Sequence, residues 1–518
     1  MTTGAGNSSP LHASLAGFWN RPALLALLVL GTAIPLLLPP IPPLLDLPGH
    51  IARYHVELAL SDSPTLQRFY DFHWGLIGNL GVDLLMVPMA KLFGLELGAK
   101  LIVIAIPMLL ASGLLWTAKE LHGRIPPTAL FALPLSYHFA FQLGFVNFSL
   151  SAALCFLAFA LWLRLGRAGR IGLRTLIFAP LAVLVWTAHI YGWGMLGVLA
   201  FSAEVMRIRG RGAGWFKSAG LGAVHCLTLC LPFVLMVVWR SGDVRGYTGD
   251  WQWVQKGVWL ASILRERWLI WDVAGAALLW LLVLAGLSGL GLRMHPVARI
   301  AVPILALLFV AMPRVVIGSG YADARLAGFV AATGLIGLSA DHGFARRFPT
   351  AIATVALLFF GVRIAVTTAA FDAISRKWES QLAALPSIEP GSRVLLLANL
   401  PCLTAWSSDR VDHIGSLAVA RRDIFANNQW ALAGAQLLEV KYFAGAPFVT
   451  DPSHMLRPAQ CGDGRARLRL AIQVAPRAFD YLWLIDAPPG QWPRDPRLKP
   501  VWHGTTGVLY RTQPAREK

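Results

Sequence analysis

The chain has 518 residues, of which 56% are hydrophobic and only 14% charged, with a mean hydropathy of +0.58. Soluble domains carry about 25% charged residues, so a water-soluble globular protein is excluded. Several runs of about 18 or more apolar residues mark a polytopic helical membrane protein. The formal net charge of +18 sits in short loops between those runs, where orientation needs it. No basic helix or recognised module accompanies it, so nucleic acid is not a partner.

Residues 1–21 read as a cytoplasmic tail whose polar tip is disordered. The apolar stretch after Arg21 is too long for a signal peptide and lacks a small-residue cleavage site, so it is the first span. Spans are expected at 22–40, 98–117, 127–143, 147–163, 172–188, 190–206, 218–238, 273–292, 300–313, 325–340 and 348–369. The segment 79–95 is short and carries Asp83, Pro88 and Lys91, which predicts an interfacial or re-entrant helix. The strongest cationic loops hold Arg164, Arg167, Arg170 and Arg174; Arg207, Arg209, Arg211 and Lys217; and Arg346 and Arg347. Placing them all inside gives about 11 crossings, an inside N-terminus and an outside C-terminus.

Residues 22–370 form this transmembrane part. Residues 371–518 are more polar and have no membrane-length apolar run. Strand-like runs at 392–397, 481–485 and 507–510, with helical stretches between them such as 430–440, predict a small outer α/β domain. Cys402 and Cys461 are its only cysteines, and in an oxidising periplasm they suggest a disulfide. Cys155, Cys226 and Cys230 lie in spans as packing residues.

The first outer loop opens with Leu45-Asp46-Leu47-Pro48-Gly49-His50-Ile51-Ala52-Arg53. In a helix, Asp46, His50 and Arg53 share one face, and ionisable groups at a bilayer surface are usually functional. Asp46 is either a helix N-cap or a carboxylate that takes a proton from an acceptor hydroxyl or holds a metal bridging a phosphate. His50 is a second base, a metal ligand, a phosphate donor or a plain interfacial histidine. Arg53 either pairs with Asp46 or grips a phosphate. Asp83 is a buried hydrogen-bonding residue or a second carboxylate. Arg325 is an anchor arginine, or pairs with Asp323, or meets a lipid phosphate. His138, Asn147, His189 and Tyr191 also fall on the outer face, structural singly but able as a set to line a sugar cavity. The loop 240–271, rich in Trp and Arg, reads foremost as an interfacial aromatic belt.

The first span, the Asp-containing first outer loop, and the stretch Gly81 to Lys119 with Pro88-Met89-Ala90-Lys91-Leu92-Phe93-Gly94 resemble the GT-C superfamily of glycosyltransferases over roughly residues 20–370. The resemblance implies a transferase in the bacterial inner membrane that takes a sugar from a polyprenyl-phosphate carrier at the periplasmic face. The acceptor would be an envelope glycan, lipid or protein, with membrane lipids around it. Asp46 would match the first-loop catalytic acid. The second acid of the family is expected in the next outer loop, but Phe139 to Phe148 holds Asn147 and no acid; Asp83 or His138 would have to compensate. The cofactor is left open, a divalent cation (Mg2+ or Mn2+) being the candidate. The competing readings are a transporter or flippase of a lipid-linked saccharide, or a non-catalytic envelope assembly partner.

Overall fold

The computed structural model describes residues 17–238, 247–316, 318–340, 347–402, 405–431, 436–449 and 454–513. The N-terminal tip 1–16, the first residues of the loop 240–271 and Arg346 lie outside them.

Every expected span has a helical counterpart. Among the described residues, six helices are long and apolar enough to cross a membrane: Leu95–His122, Val146–Arg167, Ile171–Ala188, Trp215–Val238, Leu269–Ser288 and Pro349–Ser387. Pro22–Leu37, Pro296–Ala311 and Ala324–Ile336 are apolar but shorter. The chain is a multi-pass membrane protein.

Two segments show how local chemistry sets the bundle. Gly81–Phe93 is a separate helix of 13 residues, about 20 Å long and too short for a hydrocarbon core of about 30 Å. Gly94, at φ +78°, turns the chain into Leu95–His122. The run 127–143 is not one α-helix. Pro127–Tyr137 is a fully buried 3₁₀ helix, followed by the short helix Phe139–Gln142. Pro134 has no N–H to donate and its ring crowds the carbonyl one turn back, so an α-helix is interrupted there.

One end of the bundle gathers the cationic loops. Arg167 pairs with Glu120. Arg174 and Arg207 both hold Glu204, at 2.6 and 2.5 Å, and the His122 and His295 rings meet at 5.3 Å. The α/β domain sits on the opposite end, where its Arg421 pairs with Glu96 in the first turn of Leu95–His122.

Its sheet runs in the order Phe425–Ala426, Arg393–Asn399, Tyr481–Ile485, Val508–Thr512, Leu498–His503. The first three strands are parallel and the last two pairings antiparallel. The domain is anchored from both sides. The helix Pro349–Leu382 has 34 residues, about 51 Å, so it outruns the bilayer and does not stop at the expected boundary of 370. Its Gln381 accepts from the Asp486 N–H at 2.9 Å and donates to the Thr506 carbonyl at 2.7 Å. From the first loop, Tyr70–Phe72 pairs antiparallel with Leu438–Val440. Residues 432–435 of the helix expected over 430–440 lie outside the described residues, and 438–440 form a strand instead, whose alternating burial lets Leu438 and Val440 face the core. Cys402 and Cys461 are joined in a disulfide.

Candidate functional site

A cavity of about 1430 Å³ opens where the α/β domain meets the bundle. Asp46, His50, Asn147, His189, Tyr191 and Arg325 all line it. These residues come from four separate stretches of sequence.

Asp46 immediately precedes the helix Leu47–Ala59, yet its side chain caps nothing. The capping alternative is therefore not what the carboxylate does. The backbone instead holds it in place. The Asp46 N–H donates to the Leu143 carbonyl at 3.1 Å, and Gly144 packs directly against it. A Cβ at Gly144 would stand 2.7 Å from the Asp46 nitrogen, and Gly144 has φ +86°. Only glycine meets both conditions without strain. The Asp46 side chain is 15% exposed, enough to reach a ligand. Burial, with the Asp412 carboxylate nearby, holds it well above the usual carboxylate range, while Arg325 pulls the other way. A carboxylate shifted upward is a stronger base.

Arg325, at the start of Ala324–Ile336, is buried. Its Nη2 donates to Ser319 Oγ at 3.1 Å, while Nε and Nη1 have no partner among the described residues. The guanidinium lies 4.4 Å from the Phe145 ring centre and 5.6 Å from that of Tyr191. A buried guanidinium with two open donors is matched to an anion.

His189 caps the helix Ile190–Arg209 by accepting from the Tyr191 N–H at 3.2 Å. It contributes a wall rather than a free imidazole nitrogen on that side. His50 lines the cavity between the rings of Tyr54 and Trp430. Burial first, then Arg53 and His413, hold it below the usual histidine range.

Four expected site residues stand off the cavity wall. Arg53 does not follow Asp46 and His50; it turns to Asp83 at 2.6 Å and to Gln436 at 2.5 Å. Asp83 also accepts from Asn147 at 2.9 Å, and both Arg53 and Asp83 are 4% exposed. Asp83 is thus half of a buried ion pair, not a second acid in the site. Asn147 is the hinge of that cluster: its Oδ1 takes the Val82 N–H at 2.6 Å and its Nδ2 reaches Asn79 at 2.8 Å. His138 caps Phe139–Gln142. Asp323 caps its own helix and pairs with Lys256 at 3.1 Å. A buried acid needs a cation or N–H donors, and those partners were far off in sequence.

The α/β domain supplies what the sequence reading missed. Arg410, Asp412, His413, Trp430 and Arg457 all line the cavity. Arg410 bridges to the bundle, donating to the Pro43 carbonyl at 2.7 Å and to Gln142 Oε1. Trp430 lies so close over the first loop that a Cβ on Gly49 would stand 2.4 Å from its ring. The run Asp409-Arg410-Val411-Asp412-His413, charged or titratable at four of its five positions, was the available signal. In the loop 253–271, Trp259 is buried against Phe139 and Tyr321 at the cavity, while Trp253 and Trp268 are exposed. Among the described residues no group of three or more His, Cys, Asp or Glu side chains is placed to hold a metal ion.

No protein-family model and no curated protein matches this sequence. Its structure is similar to the crystal structure of ArnT from Cupriavidus metallidurans in the apo state, with a TM-score of 0.50 at 12% identity, over 94% of this chain and 96% of that one. ArnT bound to undecaprenyl phosphate superposes at a TM-score of 0.47, again at 12% identity over 94% and 96%. Arabinofuranosyltransferase AftD from Mycobacteria gives 0.45 at 15% identity, over 96% of this chain and 40% of that one. At these identities the first likeness speaks for architecture alone, and it carries nearly the whole of both chains. The chain shares the overall fold of that ArnT structure; in this chain it is a helical membrane bundle carrying an α/β domain at one end.

Proposed function

We propose that this protein is a membrane glycosyltransferase that moves a sugar from a polyprenyl-phosphate carrier to an envelope acceptor. The observation that carries the reading is the pairing of Asp46 and Arg325 across one cavity at the end of the bundle. The fold shared with ArnT supports it. In this reading the α/β domain faces the periplasm and the bundle sits in the bacterial inner membrane. The cationic loops at the other end support that orientation.

The chemistry is a direct displacement. The carrier phosphate docks on the open N–H groups of Arg325. Asp46 takes the proton of the acceptor hydroxyl. The acceptor oxygen bonds to the anomeric carbon as the bond from that carbon to the phosphate oxygen breaks. The electron pair leaves with the polyprenyl phosphate, whose growing charge Arg325 offsets. Configuration at the anomeric carbon inverts. His50 lines the same wall and orients a hydroxyl, while Asn147 shapes it from within the Arg53–Asp83 cluster.

The test is a donor panel. Purified protein in nanodiscs is incubated with radiolabelled polyprenyl-phosphate sugars and envelope extracts, with and without EDTA. Consumption of one donor by the wild type and not by Asp46→Asn supports the transferase. No donor consumed, together with passage of a lipid-linked saccharide across sealed vesicles, replaces it with a flippase.

A further inference from the structure

In the expected family pattern both acids come from the membrane domain's loops, and here the second loop offers only Asn147. A second acid stands in the other domain. Asp412 lines the cavity with Asp46, and its Oδ2 is buried with no partner among the described residues. The next residue, His413, is 4% exposed. It brings Nε2 to 3.7 Å from Asp46 Oδ1, while its Nδ1 is buried and unpartnered among the described residues. Trp430 packs on the His413 ring at 4.4 Å and on the His50 ring at 5.6 Å, so the imidazole is braced.

We propose that the α/β domain supplies two members of the reaction centre: Asp412, which acts on Asp46 as a neighbouring like charge, and His413, whose braced ring packs beside the Asp46 carboxylate and limits where it can move. Both are positioning residues, since each acts through Asp46. The inference rests on the transferase reading, with Asp46 as base. The domain is held rigidly enough for the task. Arg410, two residues before Asp412, is tied to the Pro43 carbonyl and Gln142. The strand pairing of Tyr70–Phe72 with Leu438–Val440 fixes the other side.

The charged and titratable groups around the pair are few. Facing Asp46 are Asp412 and His413 from the α/β domain, Arg325 from its helix, and His50 one turn along. Facing Asp412 are Arg410 and Arg457. Burial pushes Asp412 up to about 6 and His413 down to about 3. At neutral pH His413 is therefore an uncharged imidazole packed beside Asp46, at 3.7 Å and beyond a direct hydrogen bond, and Asp412 is the like charge. Loss of that charge lets Asp46 ionise more easily, which makes it a weaker base that titrates at lower pH.

The experiment uses the full chain in nanodiscs and has two arms. Infrared difference spectra across a pH titration read the carboxylic-acid C=O band. A band absent from Asp46→Asn belongs to Asp46. In Asp412→Asn its midpoint should fall by about one pH unit or more. In His413→Gln, which keeps a polar group beside Asp46, the midpoint should move less than in His413→Leu. The second arm measures donor consumption against pH with whichever polyprenyl-phosphate sugar the wild type uses. The acidic limb of Asp412→Asn should move down with the donor KM unchanged and kcat reduced. An unmoved Asp46 midpoint in Asp412→Asn overturns the inference, even where turnover confirms the transferase. If the wild type consumes no donor, the transferase reading falls while the infrared arm still decides whether the two carboxylates are coupled.

Discussion

His413 Nε2 stands 3.7 Å from Asp46 Oδ1, across a seam between residues 367 positions apart in the chain. The contact joins the first loop of the membrane bundle to the α/β domain. It also explains why neither part alone makes a complete cavity.

Asp46→Asn keeps size and shape but removes the base. Since the side chain caps nothing, the fold should be unaffected, and turnover should fall by about 100-fold or more. The wild-type rate should also fall on acidification. Burial and Asp412 raise the pKa of Asp46, so the active ionised form is lost at a pH above the usual carboxylate range. A pH–rate profile of the wild type checks this; a flat profile down to the range of a free carboxylate contradicts it.

Arg325→Ala removes the guanidinium with two open donors. Hydrogen bonds to charged groups contribute about 1.5–3 kcal/mol, which corresponds to a rise in donor KM of about 10- to 100-fold. Arg325→Lys should recover part of this, because an ammonium keeps the charge but not the fork. Steady-state kinetics with the identified donor separate the two.

Arg53→Ala should act on stability rather than on chemistry. It leaves Asp83 buried with no guanidinium, and breaking one side of a buried pair costs about 3–5 kcal/mol. The expected result is a lowered thermal midpoint in detergent. A loss of turnover with an unchanged midpoint would show that the pair belongs to the site after all.

Gly144→Ala forces a Cβ against the Asp46 backbone in a left-handed conformation. The strain is about 1–3 kcal/mol. The displaced carboxylate should cost on the order of 100-fold in turnover, with donor binding preserved. Donor titration alongside rate measurement tests the split.

Much of the architecture is determined by the sequence alone. Apolar runs must be helical in a bilayer, because every backbone N–H and C=O there needs an internal partner. Charged loops then set the alternation of ends. That reasoning places Asp46, His50 and Arg325 at one end, since it depends only on the count of crossings. The strand runs 392–397 and 481–485 were legible for the same reason: Val394 to Leu397 and Tyr481 to Ile485 are continuous apolar segments, as a doubly covered sheet requires. The two lone cysteines of the outer domain were legible as a disulfide.

The tertiary structure decided which of those residues share a cavity. Arg53 lies one face of a helix from Asp46, and its long side chain can swing either way. The buried Asp83 carboxylate, 30 residues away, draws it off the site. Asp323 is bound in the same way by Lys256. Asp412 and His413 carry no local pattern that ties them to Asp46; only the docking of the α/β domain, through Gln381, Arg410 and the strand at Leu438–Val440, brings them there. Helical periodicity and loop charge are local or one-dimensional quantities, and a chain's sequence displays them directly. The partner of a buried charge is chosen by packing across hundreds of residues, and that choice exists only once the chain has folded.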